Sequence, residues 1–136
     1  ILKNNLREKV LILTNIKNDL WFEILSNSKI GLCFYEPHNL SHKYMAGTSQ
    51  KFNNYLLFKK PMIVSENKDF KFFKKKFDIF NFTNSDSPKK IADQINFLLK
   101  NKKRYLKIKK NMDYAFSSEL NFENQFLNSY KKILIN

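Results

Sequence analysis

The residues best suited to chemistry stand together in the stretch AGTSQKFNNYLLFKKPMIVSE, from Ala46 to Glu66. Gly47 permits close backbone approach, Thr48 or Ser49 can cap the helix KFNNYLLFK, and Lys51 falls in its first turn. The free N–H groups and positive dipole end of such a helix accept a phosphate, and the lysine adds a cation. The chemistry offered is therefore diphosphate binding. The same residues also make a simple helix cap, because many helices begin with Ser or Thr beside a Gly.

The other reactive residue types offer less. Cys33 lies in the apolar run IGLCFY, where a thiol acts as a small buried hydrophobe. His38 and His42 share a loop with Pro37, Asn39 and Ser41, without a Cys or an intervening Glu, so no metal site is expected.

The formal net charge is +13. Of the 25 basic residues only Arg7 and Arg104 are arginine, whereas readers of base edges rely on the arginine fork. Asn, Ile and Phe are abundant and Gly and Ala scarce, the usage of an AT-rich coding sequence. Much of the charge is compositional on this reading, and nucleic acid is not an expected partner. The basic runs KFFKKKF (71–77) and KNKKRYLKIKK (100–110) are either solvated helix faces or an attraction to an anionic membrane surface, about 1 kcal/mol per basic side chain. No run of 18 or more apolar residues and no signal-peptide pattern is present. The expectation is a cytoplasmic chain, with peripheral contact at the inner face of a membrane as the open alternative.

These residues need elements to position them. A chain of 136 residues suits one domain, here residues 1–136 with no low-complexity linker and no internal repeat. Short apolar runs at VLILT (10–14), IGLCFY (30–35), MIVS (62–65) and DIFNF (78–82) alternate with helical patterns. That order builds a parallel sheet from βαβ units, and continuous apolar runs suit strands covered on both faces. NDLWFEILSNS supplies the first crossover helix, with Leu20, Phe22, Ile24 and Leu25 on its apolar side and Asn18 or Asp19 as cap. Ser87 before Pro88 predicts a capped helix with Ile91, Ile95, Leu98 and Leu99 on one stripe. A lysine-rich helix follows from about residue 102, with Tyr105, Ile108 and Met112 on one side. Last, Phe122, Phe126, Tyr130 and Ile133 recur at helical spacing as a core or docking face. The loop from Glu36 to Gln50 leaves the end of IGLCFY, which places it at the carboxyl edge of the sheet, where open α/β sheets bind ligands.

The order IGLCFY, long loop, GTSQKFNNYLLFKKPMIVSE, DIFNF, SPKKIADQINFLL and NFENQFLNSYKKIL resembles the C-terminal, donor-binding half of GT-B glycosyltransferases. In that family a strand often reading IGL precedes a helix of the form S-x-K-x-x-E-Y and a strand of the form G-x-P-V-I. Ser49, Lys51 and Tyr55 match the helix, and Pro61, Ile63 and Val64 match the strand, with KKP where GxP is usual. Phe122 and Glu123 match the aromatic-Glu pair that opens the family's last helix. The likeness spans nearly the whole chain, with one departure. The family's helix glutamate falls at Asn54, and Ala46 stands where a second glutamate is expected.

The resemblance implies a Rossmann-like parallel sheet with helices on both faces, half of a GT-B enzyme. The chain begins at Ile1 without an initiator Met, and nothing before VLILT reads as a finished domain start, so a missing N-terminal domain is expected. The implied activity is transfer of a sugar to a glycan or lipid-linked acceptor in polysaccharide biosynthesis, with a nucleotide-diphosphate sugar as donor substrate and neither cofactor nor metal. Gly47, Thr48, Ser49, Gln50 and Lys51 would hold the diphosphate, and Asn54 would bond donor hydroxyls. Tyr44, or Tyr35 at the strand end, would either stack on the base or pack in the domain. Some bacterial glucuronosyltransferases of this fold also carry an amide at the Asn54 position, which puts Lys51 near a sugar carboxylate. The catalytic base is unknown and would come from the other half. A non-catalytic basic α/β module that binds a polyanion or a partner is the alternative.

Overall fold

The computed structural model describes residues 9–35, 42 and 45–134, apart from the side chains of Phe122 and Lys132. Three of the four apolar runs become strands: β1 (Gly31–Cys33), β2 (Met62–Ser65) and β3 (Phe80–Thr83). They pair in parallel in the order β1-β2-β3, with Gly31 opposite Met62 and Met62 opposite Phe80. All four residues of β2 are buried, as a central strand covered on both faces requires.

Residues 10–14, expected as a strand, pair with nothing among the described residues, and Leu11 is 79% and Ile12 67% exposed. Asn15 follows in the left-handed region at φ 53°, which turns the chain directly after the run. An apolar run reports its cost in water but not whether a neighbouring backbone is in place to receive it.

Six helices are described: α1 (Asn18–Asn27), α2 (Gln50–Leu57), α3 (Lys68–Phe77), α4 (Pro88–Lys100), α5 (Lys102–Ser118) and α6 (Phe122–Leu134). The cap of α1 differs from expectation. Lys17 holds the N-cap position without a side-chain bond, while Asn18 and Asp19 lie inside the helix, where Asp19 meets the positive end of the dipole. The α4 cap is as expected, with the Ser87 hydroxyl accepting from the Lys90 amide and Pro88 following. Of the α4 stripe, Leu98 is buried, Ile91 and Ile95 are half-buried, and Leu99 is half exposed.

Alternation along the strands assigns the faces. One face carries Met62, Val64 and Phe80, and on it lie Phe52 of α2 and Phe70 of α3, with ring centroids 6.0 and 5.8 Å from Phe80. Asn81 points to the opposite face and accepts nothing from that cluster; its amide donates to Gln94 of α4 at 3.2 Å. Helices therefore cover both faces. Phe52, Phe70, Phe73, Phe80 and Phe82 form a chain of ring contacts through the core, and Ile108 and Met112 of α5 close it. The helix α6 leaves Phe126 and Tyr130 more than half exposed, stacked on each other at 6.0 Å.

The amino end of β3 is held by charge. Asp78 ends α3 in the left-handed region and receives Arg104 of α5 in a bidentate pair, at 2.5 and 2.7 Å. Lys74 reaches the same carboxylate and the Phe80 carbonyl, each at 2.5 Å. These bonds, Arg104's foremost, hold the Asp78 carboxyl far below the usual carboxylate range.

Candidate functional site

The turn before α2 meets the carboxyl end of β1 through one buried contact. Ser49 is 2% exposed; its hydroxyl caps α2 by accepting from the Phe52 amide at 3.2 Å and shares a short hydrogen bond with the Tyr35 hydroxyl. Tyr35 is itself anchored, its amide donating to the Ser65 hydroxyl at 3.0 Å and its ring stacked on Phe70 at 5.6 Å. Burial pushes the Tyr35 phenol up to about 12, against the smaller opposing effect of the Ser49 bond. Tyr35 is thus a packing residue that fixes α2 against the sheet, and its ring faces are occupied. Tyr44, the other aromatic expected at this edge, lies outside the described residues.

The remaining candidates divide. Thr48 and Ser49 both direct their amides to the Met45 carbonyl, at 3.1 and 3.0 Å, so the Ser49 amide expected in a phosphate cradle is already used by the turn. Among the described residues the Gln50 and Lys51 amides of the first turn take no partner, and both side chains are exposed. Gly47 has φ +87°, a left-handed conformation that favours glycine, and a Cβ there would press on the Phe73 ring at 3.2 Å. The Lys51 ammonium sits 5.6 Å from the Tyr35 ring centroid, at the carboxyl edge, and has no carboxylate partner among the described residues. Asn54 is half-buried one turn further on.

Two residues missed from sequence shape this site. Asn53, adjacent to the expected Asn54, donates from its side chain to the Gly47 carbonyl at 3.0 Å and locks the turn. Asn67 caps α3, accepting from the Phe70 amide at 2.9 Å. The spacing of Asn67 before a Lys-Asp first turn is a legible cap signal; the Asn53 bond spans the turn and has none.

Cys33 is fully buried, its thiol 3.9 Å from the Met62 sulfur and pushed up to about 12 by burial, which removes it as a nucleophile. His42 lies beside Tyr35, with ring centroids 6.0 Å apart; His38 is outside the described residues. Among the described residues no group of three or more His, Cys, Asp or Glu side chains could hold a metal ion. No helix of the described chain is long and apolar enough to cross a membrane.

Beside Tyr35 the carboxyl edge continues into a cleft of about 400 Å³ between segments 65–68 and 83–86. Nothing in the sequence marks it, because its walls come from two separate strand ends. Searches of protein-family models, curated proteins and solved structures return no match to this chain.

Proposed function

We propose that the chain is the nucleotide-sugar-binding part of a glycosyltransferase of the GT-B type, with the donor diphosphate at the N-terminus of α2. The observation that carries this reading is the first turn of α2. Its Gln50 and Lys51 amides and the Lys51 ammonium stand open at the carboxyl edge of a parallel sheet, within the segment whose Ser49, Lys51 and Tyr55 match the family helix. The rigid contact of Ser49 with Tyr35 fixes that helix end before any ligand arrives, so little reorganisation is needed to meet developing charge.

In this reading the chain's work is electrostatic. The two amides and the ammonium stabilise the diphosphate as it leaves the sugar, and Asn54 offers a neutral amide to donor hydroxyls. Acceptor binding, on a glycan or a lipid-linked chain, and the general base belong to parts of the enzyme beyond this domain.

Calorimetric titration with UDP-, GDP- and CMP-linked sugars tests the proposal. Lys51→Ala should weaken binding by roughly 1.5 to 3 kcal/mol, tenfold or more, the worth of one charge-assisted bond. Asn54→Ala should cost about 1 kcal/mol. If the Lys51 variant binds every nucleotide sugar as the parent does, the first turn of α2 is a cap and no more. Salt-sensitive binding to any polyanion, without preference for a nucleotide diphosphate, would favour a basic binding module instead.

A further inference from the structure

The cleft between segments 65–68 and 83–86 has no part in the nucleotide reading, and its charge is unlike the rest of the chain. Across the chain 25 basic residues face 12 acidic ones, yet the cleft is lined by two of each: Lys68 and Lys71 with Glu66 and Asp86. Lys71 and Glu66 are paired at 2.8 Å. Among the lining residues is Thr83, the last residue of β3, only 7% exposed. Its hydroxyl is buried and finds no hydrogen-bond partner among the described residues. The cross-strand neighbour Ser65 does not supply one: its hydroxyl donates to the Tyr35 carbonyl and accepts from the Tyr35 amide, and forms no bond to Thr83. A buried hydroxyl without a partner is costly, and such a group in a polar cleft calls for a ligand atom or water to complete it.

The charge balance selects the ligand. An anion placed here would press against Glu66 and Asp86, and a cation would press against the two lysines. A neutral, hydroxyl-rich molecule uses both signs, because its hydroxyls donate to carboxylates and accept from ammonium groups. A volume of about 400 Å³ lies within the range of small-ligand sites. We propose that this cleft binds a neutral monosaccharide unit, one of whose hydroxyls satisfies Thr83 while others bond Asp86 and Lys68. The inference does not rest on the proposed diphosphate site, since a neutral sugar carries no phosphate.

Amide NMR of the full chain, titrated with glucose, galactose, mannose and N-acetylglucosamine at low and at high salt, tests it. The expected result is a set of shifts confined to segments 65–68 and 83–86, with an affinity that salt leaves unchanged. Thr83→Val removes the hydroxyl and keeps the shape, and should weaken binding about fivefold, the worth of one neutral hydrogen bond. Thr83→Ser should restore it. Asp86 is exposed at the rim, so Asp86→Asn keeps the fold and reads out the same site if the valine variant does not fold. The proposal is overturned if no neutral sugar shifts these segments, or if Thr83→Val and Asp86→Asn both bind as the parent does. It is equally overturned if only phosphorylated sugars bind and lose affinity with salt.

Discussion

At the scale of the residue, Lys59 shows how a family pattern and a backbone angle meet. It stands where the G-x-P strand signature has its glycine, and it adopts φ +52° directly after α2. The amides of Lys59 and Lys60 turn back to the Leu56 and Tyr55 carbonyls, at 3.0 and 2.8 Å, which closes the helix and requires a left-handed residue there. A residue with a Cβ pays about 1–2 kcal/mol for that conformation, and glycine gives back part of the gain through its freer unfolded chain. The Lys59–Asp113 pair, exposed at both ends, contributes little. Lys59→Gly should therefore stabilise the fold by roughly 0.5–1 kcal/mol, read as a higher urea midpoint at unchanged slope. A lower midpoint would mean that the left-handed turn is not strained.

At the scale of the element, the strands β2 and β3 and the caps of α2 and α4 were readable because each is decided within a few residues. MIVS is buried at every position, and Ser87-Pro88 both caps and opens its helix. The run VLILT is not a strand, because pairing is decided elsewhere in the chain. Its residues have strand character, but at the exposed positions 10–13 no strand among the described residues receives them. For the same reason the cap of α2 is legible and the hydrogen bonding of its turn is not: the Thr48 and Ser49 amides are taken by the Met45 carbonyl, a contact that residue types do not announce. The two readings of VLILT separate experimentally. Replacing Leu11 and Ile12 by Lys should leave the thermal midpoint nearly unchanged, since neither side chain is buried. Were the run a packed strand, the double change would cost several kcal/mol and be plain in a melting curve.

At the scale of the whole molecule, the Asp78–Arg104 clamp joins the end of α3, the start of β3 and the first turn of α5, so its titration bears on global stability. The folded carboxyl is held far below its ordinary value, with the Arg104 bonds as the main cause. Its contribution is therefore complete above the unfolded value of about 4 and fades as pH falls below it toward the folded one. Acid also protonates the other carboxylates and drives a net charge of +13 higher, which adds self-repulsion. Denaturant midpoints measured between neutral pH and about pH 2 should fall on the acid side, and Asp78→Asn, which tolerates the left-handed backbone, should lower the neutral plateau and flatten that fall. An unchanged acid slope in the variant would assign the loss to other groups. The aromatic interior has one more consequence, for light. Its rings are mostly phenylalanines, with Tyr35 buried among them and Tyr55 packed alongside, whereas the single tryptophan, Trp21, sits half-buried on α1, whose one fully buried residue is Leu25. Tryptophan emission from this protein therefore speaks for the seating of α1 and not for the packed centre.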